Sequence, residues 1–152
     1  MAFFSQPLGG FFNKVKPGLL VIAAVAVLRF LMLPVFGIPY ADGTSLASVF
    51  IVSTIIVLIY GAAHGATGGS AKDLLAVAAI IMYSVGVIIS VAILIDEGLG
   101  IDTYYTDPAH GGSNSIVFHV FGHLVIASTV FTLVTWLLSS VAAALGRRFH
   151  AA

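Results

Sequence analysis

Four long runs of apolar residues dominate the chain, and short segments rich in glycine, proline and charge separate them. The runs cover about residues 18–36, 46–63, 74–95 and 116–145. A spanning helix needs about 20 mostly apolar residues to cross a hydrocarbon core about 30 Å thick. Strands of a membrane β-barrel would instead alternate polar and apolar positions in short segments. The pattern predicts an all-α integral membrane protein with four transmembrane helices, forming a single domain over residues 1–152.

The segments between the runs have the composition of turns. Pro34, Gly37 and Pro39 close the first run, because proline lacks an amide donor and glycine permits left-handed turns. Residues 61–70 are rich in glycine and predict a flexible connection after the second run. Ser70 and Asp73 have the spacing of a capping box, which predicts that the third helix begins there.

The charged residues form a basic and an acidic group on alternate connections. The basic group is Lys14, Lys16, Lys72, Arg147 and Arg148. The acidic group is Asp42, Asp96, Glu97, Asp102 and Asp107. Because basic residues favour the cytoplasmic side, we expect both termini in the cytoplasm and the chain in the cytoplasmic (inner) membrane. A short loop near residues 38–44 and a long acidic loop near residues 96–115, between the third and fourth helices, then face outward.

The composition removes several classes of protein. Hydrophobic residues make up 60% of the chain and charged residues 8%, with a net charge of zero, so the chain is too apolar for a soluble or disordered protein. It has no basic excess with which to bind nucleic acid. Because it has no cysteine, disulfides, thiolate metal sites and cysteine nucleophiles are excluded. The expected surroundings are the lipid bilayer and other membrane-protein subunits.

The first sixteen residues combine aromatic and basic side chains. Phe3, Phe4, Phe11 and Phe12 precede or flank the two lysines of this segment. Such a composition is typical of a segment that lies in the membrane interface, so residues 1–16 are predicted to anchor the chain at the inner surface. The alternative is a loose tail with incidental aromatic residues.

Arg29 is the one charged residue well inside a predicted span, about 12 Å below the outer end of the first helix. A charge at such depth costs at least about 2.5–3.5 kcal/mol on insertion scales. We therefore predict a structural ion pair of Arg29 with Asp96 or Glu97, at the outer end of the third helix. Two alternatives are a counter-ion from a partner subunit and a guanidinium that extends to outer lipid phosphates.

His119 and His123 are four residues apart on the fourth predicted helix and therefore share one face. This spacing can place two imidazoles around one metal ion when other segments supply further ligands. Asp102, Asp107 or His110 of the outer loop is the candidate for completing such an outer-surface site. The alternative is that the imidazoles are solvated or packed, since the glutamate that zinc proteases carry after the first histidine is missing.

The spacing of His119 and His123 also limits which cofactors the chain could bind. Two histidines one turn apart point the same way, whereas the axial ligands of a b-type haem come from opposite faces of the ring. His64 lies at the opposite side of the membrane from His119 and cannot complete such a pair. The sequence disfavours bis-histidine haem and leaves a divalent metal or a single-ligand tetrapyrrole open, without committing to a cofactor.

The outer loop contains Tyr104-Tyr105-Thr106-Asp107-Pro108. Aromatic residues and proline give a loop rigidity and anchoring points. The segment is interpreted either as a docking or lid element or as an aromatic belt at the lipid headgroups.

The function is predicted partly from what the spans lack. They contain no carboxylate that could couple ion movement, and the chain shows no pairing of a nucleophile with a base. We therefore expect a non-catalytic accessory or scaffolding subunit of a larger membrane complex. The first alternative is a metal- or cofactor-binding membrane protein with a site at His119 and His123. The second is a small transporter or channel, which predicts a polar cavity lined by serines and threonines of the second and fourth helices.

Overall fold

The computed structural model describes residues 4–39, 48–107 and 115–150 of the chain. It contains four long helices: α1 (Leu8–Leu31), α2 (Val49–Ala66), α3 (Ala71–Leu99) and α4. The helix α4 consists of an α-helical segment Ile116–Phe121, a π-helical segment Gly122–Ala127 and an α-helical segment Ser128–His150. All four are long and apolar enough to cross a membrane, and the described part of the chain contains no strand. The prediction of an all-helical protein with four candidate spans is confirmed.

The helix α3 is the centre of the bundle. Half of its most apolar stretch is buried inside the protein, compared with 22–28% for the other three helices. Its fully buried positions recur at helical spacing, as at Ile81, Val85, Ile89 and Ile93. The outward faces of the other helices expose leucine, isoleucine and valine, which suits contact with lipid tails.

Four contacts hold the N-terminal ends of α1 and α3 beside the C-terminal parts of α2 and α4. Ser5 N donates to Asp73 Oδ1 (2.9 Å), and the Tyr60 hydroxyl donates to the carbonyl of Lys14 (2.8 Å). Trp136 Nε1 donates to the carbonyl of Ala71 (2.8 Å), and His64 Nε2 lies 3.7 Å from Asp73 Oδ2. We call this the basic end of the bundle, because Lys14, Lys16, Lys72, Arg147 and Arg148 lie at these helix ends. The opposite, acidic end carries Asp96, Glu97, Asp102 and Asp107.

The start of α3 matches the predicted capping pattern. The Ser70 side chain accepts a hydrogen bond from Asp73 N (3.3 Å), as expected of an N-cap serine. The carboxylate of Asp73 also accepts a hydrogen bond from the Ser5 amide (2.9 Å). The residue that helps to begin α3 therefore also ties the segment before α1 to α3.

The helix α1 occupies a different stretch from the predicted span. It begins at Leu8 and ends at Leu31, and a turn with Gly37 at φ 63° follows it. Much of the predicted interfacial segment is therefore the first turns of α1. Phe11 is buried against Phe4, with ring centroids 6.0 Å apart, whereas Phe12 is exposed. The interfacial role of residues 1–16 stays a prediction.

The expected flexible connection over residues 61–66 is wrong, because α2 continues to Ala66. Gly61 and Gly65 are buried in this helix, and their missing side chains let α2 lie directly against Ser139 and Ala143 of α4. Small residues at this spacing favour close helix packing in membranes. The packing therefore overrides the weak helix propensity of glycine, and only residues 67–70 form the turn.

Candidate functional site

A cavity of about 140 Å³ lies toward the acidic end of the bundle, between the four helices and the loop after α3. It is lined by Arg29 of α1, by Ser48, Val49 and Phe50 at the start of α2, by Ile89 of α3, by Tyr105 of the loop and by His123 of α4. The cavity thus brings together a guanidinium, an imidazole, a phenol and a hydroxyl from separate parts of the chain.

The helix α1 carries Arg29 in its last turn, because the helix ends at Leu31. Arg29 is 6% exposed, and the central carbon of its guanidinium lies 4.9 Å from the centroid of the Tyr104 ring. A cation over an aromatic face is stabilised electrostatically, and a basic side chain near a helix C-terminus also interacts favourably with the helix dipole. The Tyr104 ring and the nearby C-terminal end of α1 therefore stabilise the Arg29 charge, which was predicted from the sequence to lie deep within a span. The ion pair of Arg29 with Asp96 or Glu97 stays a prediction.

The two histidines of α4 are neighbours beside the cavity. The ring centroids of His119 and His123 lie 5.1 Å apart, with the planes tilted by 45°. The imidazole of His123 stacks on Phe50 at 6.4 Å. His119 is buried, and within the described ranges its Nε2 has no hydrogen-bond partner. A buried polar atom of this kind is costly unless something pairs with it, which marks the pair as a candidate binding element.

The π-helical segment Gly122–Ala127 contains His123. Ser128 Oγ follows the segment and lies 2.8 Å from the carbonyl oxygen of His123 and 3.2 Å from that of Met82 on α3. A side chain at Gly86 would lie 2.2 Å from Ser128 Oγ, so α3 has no room for one there. Single π turns inside α-helices are frequent at functional sites. Here the π turn sets the position of His123 on the cavity wall.

The loop after α3 folds into the bundle and covers its acidic end. Tyr104 and Tyr105 are buried, and their hydroxyls donate to the carbonyls of Pro39 (3.1 Å) and Ala26 (3.2 Å). Burial raises the pKa of Tyr105 to about 12, and the nearby Arg29 charge lowers the pKa by a smaller amount. The phenol therefore stays protonated at neutral pH and keeps its donor. These contacts match the lid interpretation of the segment and not a belt at the headgroups.

A buried carboxylate holds the loop in place. Asp96 is 2% exposed, and its Oδ2 accepts hydrogen bonds from the hydroxyls of Thr103 and Thr106, both at 2.5 Å. Thr103 Oγ1 in turn accepts the amide of Tyr105 (3.2 Å). Hydrogen bonds to a charged group are stronger than those between neutral groups. The carboxylate that was predicted to pair with Arg29 thus organises the lid above it.

The proposed metal ligands are only partly brought together. Across residues 4–39, 48–107 and 115–150, no three His, Asp or Glu side chains gather where a metal ion could sit. Asp102 and Asp107 therefore do not complete a group with His119 and His123, and His110 lies outside the described residues. The metal site and the single-ligand tetrapyrrole stay predictions.

The hydroxyls of α2 and α4 bond mainly to helix backbone. Ser53, Thr54 and Thr135 donate to the carbonyl four residues earlier in their own helices. Ser139 and Ser140 donate to the carbonyl of Trp136. None of these residues lines the cavity described above, whereas Thr54 lines a second, mostly apolar cavity with Phe50, Ile51, Ile55 and Phe131. The transporter or channel alternative stays a prediction.

The chain's own residues define this site. Arg29, His119 and His123 were identified from the sequence, whereas Ser48, Phe50 and the inward position of Tyr105 became evident only from the packing. No family model, curated protein or solved structure matches the chain.

Proposed function

We propose that this protein binds a small organic ligand inside the membrane, in the cavity between Arg29, Tyr105 and His123. One observation carries the proposal: three polar or ionisable residues from different elements line one cavity. Burying such groups in lipid is costly, and ionisable residues within a membrane bundle generally mark functional sites. Convergent polar groups on otherwise apolar walls are the usual form of a ligand site.

We further propose that the site lies in the outer half of the cytoplasmic membrane, with both termini in the cytoplasm. The basic end of the bundle gathers five lysines and arginines at helix ends that contact one another. Basic residues near span ends favour the cytoplasmic side. The acidic end, which carries the cavity, then faces outward.

The orientation is testable by chemical labelling, because the chain has no cysteine. We expect Asp102→Cys to react with a membrane-impermeant maleimide in intact cells. Arg148→Cys, also exposed, is expected to react only after the membrane is opened. Reaction of Arg148→Cys in intact cells, with Asp102→Cys protected, would reverse the proposed orientation.

Filling the cavity is expected to remove the ligand. In Val49→Phe the larger side chain occupies space that the ligand needs, since Val49 lines the cavity and is 2% exposed. Protein purified in mild detergent from its own membranes is expected to carry a bound small molecule. Native mass spectrometry should detect this added mass in the unaltered protein and not in Val49→Phe.

Val21→Phe is the matched control, because it makes the same substitution at a residue that is 52% exposed on the lipid-facing side of α1. It is expected to retain the bound molecule. Identical spectra for all three proteins would refute ligand binding in this cavity. The metal alternative predicts about one divalent ion per chain, lost in His119→Ala, and elemental analysis of the same preparations measures it.

The role of an accessory or scaffolding subunit stays a prediction and is compatible with ligand binding. In either role a bound cofactor would supply the chemistry and the protein would supply its position. The outward apolar faces of α1, α2 and α4 suit lipid.

A further inference from the structure

Basic residues of three helices gather around the last two turns of α2. On one side, the Tyr60 hydroxyl of α2 donates to the carbonyl of Lys14 on α1 (2.8 Å). On the other side, Gly146 of α4 lies against α2, because a carbon added to it would be 2.7 Å from the carbonyl oxygen of Ala62. Arg147 follows this contact directly. The packing therefore places charges from both ends of the chain beside α2.

The helix α3 adds a further lysine to the same end of the bundle. Trp136 Nε1 donates to the carbonyl of Ala71 (2.8 Å), and His64 Nε2 lies 3.7 Å from Asp73 Oδ2. These contacts flank Lys72 and hold it beside α2 and α4. The exposed basic residues of the basic end are Lys14, Lys16, Lys72, Arg147 and Arg148.

The carboxylate at this end is used inside the protein. Of the six acidic residues of the chain, only Asp73 lies outside the acidic group defined above. Asp73 is 2% exposed, accepts the Ser5 amide (2.9 Å) and lies beside His64. Among the described residues of the basic end, the charged side chains that are exposed are therefore all positive.

Exposed apolar residues lie directly beside these charges. Leu20, which is 64% exposed, follows Lys16 by four residues on α1. Leu145, which is 49% exposed, precedes Arg148 by three residues on α4. Residues three or four apart share one face of a helix. On both helices a basic side chain thus lies one turn beyond an apolar one, in the order in which a phospholipid presents its phosphate and its acyl chains.

We propose that the basic end binds the phosphate headgroups of anionic phospholipids in the leaflet that it faces. Clusters of four to eight lysines and arginines beside a span attract such lipids. The long side chains let their charged groups contact phosphates while their stems cover apolar surface. A nucleic acid or a soluble acidic protein would match the charges but not the leucines beside them. The inference is independent of the ligand proposed for the cavity.

The test uses the full chain in nanodiscs that contain equal amounts of phosphatidylglycerol and phosphatidylcholine with the same acyl chains. Native mass spectrometry of the released protein identifies the lipids that stay bound. We expect retained phosphatidylglycerol to exceed phosphatidylcholine by at least about tenfold, since each basic residue near the surface contributes about fivefold to anionic lipid binding. The excess should fall as salt is raised, because added ions screen exposed charges.

The double variant Lys16→Gln, Arg148→Gln removes two exposed charges and keeps long polar side chains. It is expected to lower the excess of phosphatidylglycerol by at least about fivefold. The double variant Lys16→Arg, Arg148→Lys is the matched control, because it changes the same positions and keeps both charges. It should retain the full excess. Thermal unfolding of each variant checks that it is folded.

A third variant separates the local charges from the net charge of the chain. Adding Glu97→Gln and Asp102→Asn, both exposed at the acidic end, to the glutamine double variant restores a net charge of zero. The excess should stay low, because the basic end is still depleted.

Four results would overturn the inference. They are equal retention of the two lipids, an unchanged excess in the glutamine double variant, recovery of the excess when the net charge is restored, and loss of the excess in millimolar glycerol phosphate or polyglutamate. The last result would identify a site for a soluble phosphate or for an acidic protein, respectively, instead of a lipid headgroup.

Discussion

Gly65→Ala is expected to destabilise the protein by about 2–3 kcal/mol or more, although it adds only one methyl group. The added carbon would lie 2.1 Å from the carbonyl oxygen of Ala143 and 2.5 Å from its Cα. Both atoms belong to the backbone of α4, so no side-chain rotation can relieve the clash. Overpacking a core with flexible side chains typically costs about 1–3 kcal/mol, and here two helices must separate instead.

The effect would extend along the interface of α2 and α4. Gly61 meets the carbonyl of Ser139, and Gly146 meets the carbonyl of Ala62, each 2.7 Å from an added carbon. The two backbones therefore touch at three positions along the interface. Because dispersion contacts drive helix association in lipid, a shift at Gly65 weakens all three contacts together.

Gly98→Ala is the matched control. Gly98 lies in α3 with no atom within 4 Å of an added carbon, so the same change should be neutral or stabilising by up to about 1 kcal/mol through helix propensity. Unfolding in a detergent titration can be followed by the fluorescence of Trp136, the single tryptophan. Equal stability of the two variants would show that α2 and α4 are not in direct backbone contact.

The fold could be predicted from the sequence where the signal was long and periodic. Runs of about twenty apolar residues indicated four helices, and Ser70 with Asp73 located the start of α3. The end of α2 could not be predicted in this way, because Gly61 and Gly65 favour a turn by local propensity. Glycine is favourable at these positions only because α4 packs against them. The residues around Gly61 and Gly65 do not reveal where α4 will pack.

Only some residues of the candidate site could be predicted from the sequence. Arg29 was conspicuous as a charge in a span, and the spacing of His119 and His123 indicated a shared face. The cavity depends on long-range packing, since Tyr105 reaches Ala26 across 79 positions of the chain. The π turn shifts His123 relative to a regular helix, and no residue pattern in Gly122–Ala127 indicated this turn.

Asp96→Ala is expected to release the lid while leaving the four helices in place. The substitution removes the acceptor shared by Thr103 and Thr106, and the hydroxyl of Thr103, a residue that is 2% exposed, loses that partner. Hydrogen bonds to charged groups contribute about 1.5–3 kcal/mol each. Amide hydrogen exchange at Tyr105 should therefore accelerate by about ten- to a hundredfold, as measured by mass spectrometry over residues 100–107.

The lid also shields the charge beneath it, so its release has a second consequence. Tyr104 packs over Arg29, and Tyr105 lines the cavity. Once these rings are mobile, water reaches the guanidinium, and a bound ligand should dissociate faster.

Two variants serve as controls for the exchange measurement. Asp96→Asn keeps an oxygen acceptor, so its exchange rate at Tyr105 should lie between those of the unaltered protein and Asp96→Ala. Asp102→Ala, the same loss of a carboxylate at an exposed loop position, should leave exchange unchanged; equal acceleration in Asp102→Ala would mean that loop charge, and not the Asp96 hydrogen bonds, holds the lid.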